Sequence, residues 1–295
     1  MNIEKITILV TGSKGQVGQE LQTIAPDFAN FHFIFVDVEE LDITNEKAVQ
    51  DFFETCHIDY CLNCAAYTAV DRAESDAILA EKVNVYGVRN LARACASQDA
   101  RLVQLSTDYV YHNSQNTPFV ETDLPNPQGV YAKTKLEGDY AALDSHPGGA
   151  MVIRTSWVYS SFGHNFVKTM LRLGTERKEL NVVFDQIGTP TYARDLANAM
   201  LTIIQKAENQ EVEKESLNGV FHYSNEGVTS WYDFAIAIFD LKNMPVRVNP
   251  ILTSAYPTPA KRPPFSVLNK GKIKATFSLE IPHWREALKA CLGLL

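Results

Sequence analysis

The segment from Ile6 to Gly18 restricts the fold more than any other part of the chain. Ile6-Thr7-Ile8-Leu9-Val10 is β-branched and apolar on both alternating faces, so it reads as a strand buried on both sides of a parallel sheet. It runs into Thr11-Gly12-Ser13-Lys14-Gly15-Gln16-Val17-Gly18, and Leu21 and Ile24 then continue a helical pattern. Glycines at every third position allow a tight turn and a close approach of backbone to a diphosphate. The helix behind them offers N–H groups and the positive end of its dipole to the same anion. A glycine triplet alone says little. With a strand before it and a helix after it, the spacing predicts a dinucleotide site, with Gly12, Lys14, Gly15, Gln16, Val17 and Gly18 as cofactor-binding candidates.

The alternation repeats downstream. Phe31 to Val36 predicts a second strand ending at Asp37, whose carboxylate can accept hydrogen bonds from a ribose diol. It would repel an added 2′-phosphate, which Lys14 would partly offset. Leu41-Asp42-Ile43-Thr44 leads into a helix from Glu46 to Glu54, and Asp42 and Ile43 join the cofactor side. A third strand, Asp59 to Cys64, closes on Ala65 and Ala66, small enough to admit a flat ring such as adenine, and these two with Tyr67 are further cofactor-binding candidates. Residues 77–96 have helical spacing. A fourth strand, Leu102 to Leu105, ends in Ser106-Thr107-Asp108-Tyr109. Open α/β sheets bind ligands beyond the carboxyl ends of their strands, so Thr107 stands where a substrate would meet the cofactor.

After a loop over residues 112–128 comes Gly129-Val130-Tyr131-Ala132-Lys133-Thr134-Lys135. Tyr131 and Lys135 share one face of a helix, bordering a buried stripe of Ala132, Leu136 and Leu143. An ammonium beside a phenol favours the phenolate, and a tyrosine so tuned can exchange a proton during carbonyl–alcohol interconversion. Met151 to Arg154 predicts a fifth strand. Beyond it the alternation loosens: a helix carries Phe166, Met170 and Leu173, a strand covers Leu180 to Phe184, and a helix runs from Ala193 to Lys206. Residues 207–216 read as a polar loop. Ser230-Trp231-Tyr232-Asp233 is a capping box that opens a further helix. The run Pro257-Thr258-Pro259-Ala260-Lys261-Arg262-Pro263-Pro264 cannot be helix interior and reads as a rigid surface segment, with the form of a lid. The pattern predicts an α/β Rossmann-type doubly wound parallel sheet over residues 1–155, which also draws on part of 184–205. Residues 156–295 form a smaller, mainly substrate-binding domain.

Bulk properties narrow the function classes. A net charge of −8 argues against nucleic acid as the main partner. No apolar run reaches the roughly 18–20 residues of a membrane span. Met1-Asn2-Ile3-Glu4-Lys5 is too short and acidic for a signal peptide. The five scattered cysteines fit reduced thiols and a cytoplasmic location, and Cys61-Leu62-Asn63-Cys64 lacks the second pair that a metal site wants.

The glycine turn, the acid after the second strand, Thr107 and the Tyr131/Lys135 pair together resemble the extended short-chain dehydrogenase/reductase superfamily. Longer blocks are similar to the dTDP-4-dehydrorhamnose reductase family. They include Ala65-Ala66-Tyr67-Thr68-Ala69-Val70-Asp71-Arg72, Arg154-Thr155-Ser156-Trp157-Val158-Tyr159 and Asp185-Gln186-Ile187-Gly188-Thr189-Pro190-Thr191. That resemblance implies hydride transfer from NADPH or NADH to a dTDP-linked 4-keto sugar, giving dTDP-L-rhamnose. It implies Tyr131 as general acid, Lys135 as the group that depresses its pKa and binds the nicotinamide ribose, and Thr107 as a bond to the substrate oxygen. It further implies that Asp108 and Tyr109 lie near the substrate. Thr68 and Val70 would line the sugar pocket and Trp157 would cover the sugar. Asn165, Lys168, Gln186 and Arg262 would serve the nucleotide end.

Some relatives are described as dimers bridged by magnesium on glutamates. One such acid falls where this chain has Arg194, so no bound metal is expected and the chain is read as a monomer or homodimer. Two rival readings share the scaffold. A nucleotide-sugar dehydratase or epimerase would follow Thr107-Asp108 with Glu, where this chain has Tyr109. A non-catalytic regulatory subunit like that of methionine adenosyltransferase would not need the intact triad.

Overall fold

Strands that are apolar on both faces demand cover on both faces, and the chain supplies it from alternate sides. The computed structural model describes residues 5–295; Met1 to Glu4, on which the reading of the N-terminus falls, lie outside the described residues. β1 (Ile6–Thr11) sends Ile8 and Val10 into one apolar cluster and Leu9 into another across the sheet. α1 (Gln16–Ile24), β2 (Phe31–Phe35), α2 (Glu46–Thr55) and β3 (Tyr60–Asn63) follow, with α2 opened by Asn45, whose side chain accepts the Ala48 N–H. After the short α3 (Val70–Ala73), α4 (Ala77–Glu81) and α5 (Val88–Ser97) make one helical stretch joined by a π-turn over Lys82–Gly87. The sequence pattern gives that helix but not its wider turn. β4 (Arg101–Thr107), α6 (Val130–Ser145) and β5 (Ala150–Thr155) end the regular alternation.

The second half is more broken. β6 (Val158–Tyr159) precedes α7 (Phe166–Glu176), β7 (Glu179–Val183), β8 (Ile187–Gly188) and β9 (Thr191–Tyr192). α8 (Ala193–Glu208) leads to β10 (Gly219–His222) and β11 (Thr229–Ser230), and then α9 (Trp231–Leu241) begins on the Ser230 cap. β12 (Arg247–Ile251), α10 (Gly271–Phe277) and α11 (Trp284–Leu292) complete the chain.

Six parallel strands form the main sheet in the order β10-β5-β4-β3-β1-β2. The order reverses at β1, with β2 on one side and β3 on the other, which leaves a crevice at the carboxyl ends of β1 and β3. The cluster on one face joins α1, α8 and α10 to the sheet, while the other joins α2, α5 and α6. A third cluster, on α7, α9 and α11, is the core of the smaller part of the molecule. The sixth strand lies where the sequence shows a polar loop and then four residues, Gly-Val-Phe-His. Its edge position and the polar His222 hide it. That imidazole is fully buried against Tyr111, and burial holds its pKa near 3. The main sheet therefore takes strands from both sides of residue 155.

Candidate active site

A cleft of about 790 Å³ opens over the carboxyl ends of β1, β3 and β4 and is lined by residues from the first glycine turn to α9. The glycine turn forms one wall. Gly12 has φ +63°, and a Cβ there would come within 2.6 Å of the Ala65 backbone nitrogen, so only glycine lets these strand ends meet. The Gly15 N–H donates to Gly12 O at 3.0 Å and closes the turn. α1 then starts on Gly15 with no side-chain cap, which leaves its first N–H groups to a ligand or water. Asp37 accepts the Lys14 N–H at 2.9 Å and the Val38 N–H at 2.8 Å, which fixes its carboxylate at the end of β2. The turn, the uncapped helix start and this carboxylate fit a dinucleotide.

Asp42, Ile43, Ala65 and Ala66 line the same end of the cleft. So do Lys14, Gln16, Val17 and Gly18, but the Lys14 ammonium is held by Glu39 at 2.7 Å. Tyr67 does not line it. Its hydroxyl goes to Asp76, and its backbone N–H and C=O are both bonded by the Asn84 side chain, which also donates to Thr134 on α6. Asn84 sits in the π-turn, so that wider turn ties the loop after β3 to the helix carrying Tyr131. Asn63 is another residue the sequence pattern passes over: it accepts from Thr11 at 2.6 Å and donates to Gln104 at 2.6 Å, tying the ends of β1 and β3 to the middle of β4.

Thr107, Tyr131 and Lys135 all reach the cleft. Thr107 is buried, and its hydroxyl contacts Asp108 at 3.2 Å and accepts the Tyr109 N–H at 3.2 Å. The Tyr109 ring meets Tyr131 edge-on, with centroids 5.7 Å apart. Burial pushes the Tyr131 phenol up to about 12, and the Thr107 hydroxyl pulls it partway back. Lys135 is 3% exposed and donates to Leu105 O at 2.7 Å, and burial lowers its pKa to about 8. Lys135 thus lies within the buried face of α6, rather than bordering it. Asp139, one turn further, is fully buried and pairs with Arg154 at 3.0 Å; the same guanidinium donates to Tyr111 at 2.7 Å. Asp108 is also buried, which raises its carboxyl to about 7, and its Oδ2 has no hydrogen-bond partner.

Toward the other end, Thr68, Val70 and Trp157 line the cleft with Val158, His164 and Trp231. The four residues assigned to a nucleotide end by resemblance lie outside that lining, and each already has a protein partner. Asn165 caps α7 and donates to Gln16 at 2.9 Å, Lys168 donates to Ser161 O at 3.1 Å, and Gln186 donates to Thr253 at 3.1 Å. Arg262 makes a two-pronged pair with Asp71 at 2.9 and 2.7 Å, which fastens the proline-dense segment to α3. Arg194 donates to the fully buried Glu20 at 2.8 Å. Among the described residues no three His, Cys, Asp or Glu side chains are grouped to hold a metal.

Residues 6–295 match the family described as the RmlD substrate binding domain. A dTDP-4-dehydrorhamnose reductase from Aggregatibacter actinomycetemcomitans is 41% identical over 289 residues, 96% of this chain and 97% of that one. The crystal structure of a dTDP-4-dehydrorhamnose reductase from Clostridium acetobutylicum superposes with a TM-score of 0.91 at 42% identity, covering 98% of this chain and 99% of the other. A third, from Bacillus anthracis in complex with NADP, gives a TM-score of 0.92 at 36% identity over 99% of this chain and 100% of that one.

Proposed function

The chain belongs to the dTDP-4-dehydrorhamnose reductase family, and from that premise and its cleft we infer that it reduces dTDP-4-dehydro-6-deoxy-L-mannose to dTDP-L-rhamnose with NADPH or NADH. The observation that carries this reading is the meeting of Thr107, Tyr131 and Lys135 in one cleft with the Gly12 turn. The nicotinamide, when bound, supplies a hydride to the sugar carbonyl carbon.

The protein's work is to hold the reactants and manage one proton. Gly12, Gly15 and the uncapped start of α1 take the diphosphate, and Asp37 takes the adenosine ribose. The sugar carbonyl oxygen lies between the Thr107 hydroxyl and the Tyr131 phenol. A phenol whose pKa stands near 12 is fully protonated at neutral pH, which suits a proton donor in the reducing direction. Tyr131 gives its proton to the oxygen as the carbon is reduced, and the Thr107 hydroxyl supports the phenolate that remains. Lys135, charged below its pKa near 8, supplies the local positive charge and a donor for the nicotinamide ribose. Thr68, Val70 and Trp157 form the sugar's surroundings, with Asp108 and Tyr109 beside the reacting carbon. Tyr109 stands where a dehydratase would carry a glutamate as its extra base.

The work is cytoplasmic and is done by a monomer or homodimer; no helix among the described residues is long and apolar enough to cross a membrane. The test is to follow loss of reduced nicotinamide absorbance with the dTDP-4-keto sugar. Folded protein that oxidises neither cofactor in its presence would remove the reading. Tyr131→Phe should lower turnover at least ~10²-fold with folding unchanged. Retained activity would remove Tyr131 as the donor.

A further inference from the structure

We propose that Trp231 is a positioning residue for the sugar end of the cleft, acting by holding the Trp157 indole in place; this rests on the reading of Trp157 as a substrate-binding residue. Trp157 has φ +47°, a left-handed conformation that a bulky aromatic residue rarely takes. Such a conformation persists where the surroundings over-determine it, and these do. Its carbonyl accepts the Thr191 N–H at 3.2 Å. β8 and β11 pair antiparallel with Thr229 opposite Gly188, which brings Gly188 and the first residue of α9, Trp231, to the same indole. A Cβ on Gly188 would fall 2.6 Å from the Trp157 ring, so that contact admits only glycine. Trp231 lies parallel to the Trp157 ring, with centroids 3.6 Å apart and planes 10° apart.

The support behind Trp231 is rigid. Phe166 packs on it at 4.7 Å, and the buried Phe234 lies behind at 6.5 Å. The Ser230 side chain caps α9 by accepting the Asp233 N–H, which fixes where the helix begins and therefore where Trp231 stands. Both indoles line the cleft. A face lying flat against another indole cannot be offered to a sugar, so the stack decides which side of Trp157 a nucleotide sugar meets. Trp231 acts through Trp157, and among the described residues no hydrogen bond or ring contact joins it directly to Gly12, Gly15 or Asp37.

The experiment compares wild type with Trp231→Leu and Trp231→Phe. Titration calorimetry gives the affinity of each for dTDP-L-rhamnose and, separately, for NADH, and circular dichroism reads the exciton couplet of the paired indoles. The couplet should vanish in both variants, since each has lost one indole. Trp231→Leu should bind dTDP-L-rhamnose about threefold to tenfold more weakly, the range expected for loss of an aromatic pair. Its NADH affinity should stay at the wild-type value, and its KM for sugar should rise with kcat kept. Trp231→Phe, which can still stack, should recover most of the loss. Full dTDP-L-rhamnose affinity in the leucine variant would overturn the proposal, as would an equal loss for both ligands, which would mark general damage. A wild-type couplet in Trp231→Leu would show that the indoles do not stack in solution and would overturn it too. If wild type binds NADH but not dTDP-L-rhamnose, the proposed function itself fails, and this inference with it.

Discussion

Replacing Lys135 with methionine separates what the site needs from what the fold would prefer. The ammonium is 3% exposed, and among the described residues its hydrogen bonding amounts to the Leu105 carbonyl. Burial lowers its pKa from 10.5 to about 8. At about 1.4 kcal/mol per unit, that shift means the charged side chain weakens the fold by about 3 kcal/mol. Below pH 8 both folded and unfolded chains hold the proton, so the whole penalty is present. Between about 8 and 10.5 the unfolded chain still holds a proton that the folded chain has released, so this group's contribution to stability rises with pH across that window. Methionine keeps the volume and removes the charge. It forfeits the Leu105 bond, about 1 kcal/mol, and a favourable neighbour for Asp139.

Lys135→Met should therefore be more stable than wild type at pH 7 by about 1–2 kcal/mol, with reductase activity lost. The advantage should shrink steadily toward pH 10. Cys61, raised first by its contact with Cys95 and then by burial, opposes any gain in stability as pH rises equally in both proteins, whereas Cys64, raised by burial to about 12, is coupled to the Lys135 charge and enters the difference only near that value. Urea unfolding at a series of pH values measures it. A variant less stable at pH 7, or a difference that does not change with pH, would refute the account of Lys135 as a charge held against its solvation.

Cofactor choice should respond to the acidic turn after β2. Glu39→Gln releases the Lys14 ammonium and should raise the NADPH-to-NADH ratio of kcat/KM about threefold or more, much less so in a Lys14→Met background; Asp37→Ala should move the ratio the same way. An unchanged ratio would take these side chains out of the ribose site. Asp139→Asn leaves the Arg154 guanidinium buried without its counter-charge and should cost about 3–5 kcal/mol in chemical unfolding. A loss below about 1 kcal/mol would mean that Tyr111 alone satisfies the arginine.

The sequence carries the first half of the site well because its information there is local. A strand, a glycine turn and a helix within Ile6–Ile24, or Tyr131 and Lys135 one turn apart, are set by neighbours in the chain. The other half depends on long-range partners. The Lys135 ammonium donates to the Leu105 carbonyl, 30 residues earlier, which the four-residue spacing does not say. Arg262 reads as a free cation until Asp71 is found beside it, 191 residues away in sequence. Asn165 sits where its helix begins and caps it, but its amide also reaches Gln16, 149 residues earlier. Trp231 looks like part of a helix start, and only the pairing of β8 with β11 brings it to Trp157. β10 is four residues long at a sheet edge, too short for periodicity to register.

That late edge strand bears on how the protein is made. β5 ends at Thr155, yet its neighbour on the open side is β10, which does not exist until residue 222 has left the ribosome. Until then a nascent chain carries an exposed parallel edge, a template for pairing with other strands. The segment translated in between supplies Trp157, Val158, Gly163 and His164 to the cleft. The sheet thus closes around the segment that interrupts it. A fragment cut at residue 155 would keep the glycine turn and the Tyr131 helix and still lack the strand that finishes their sheet.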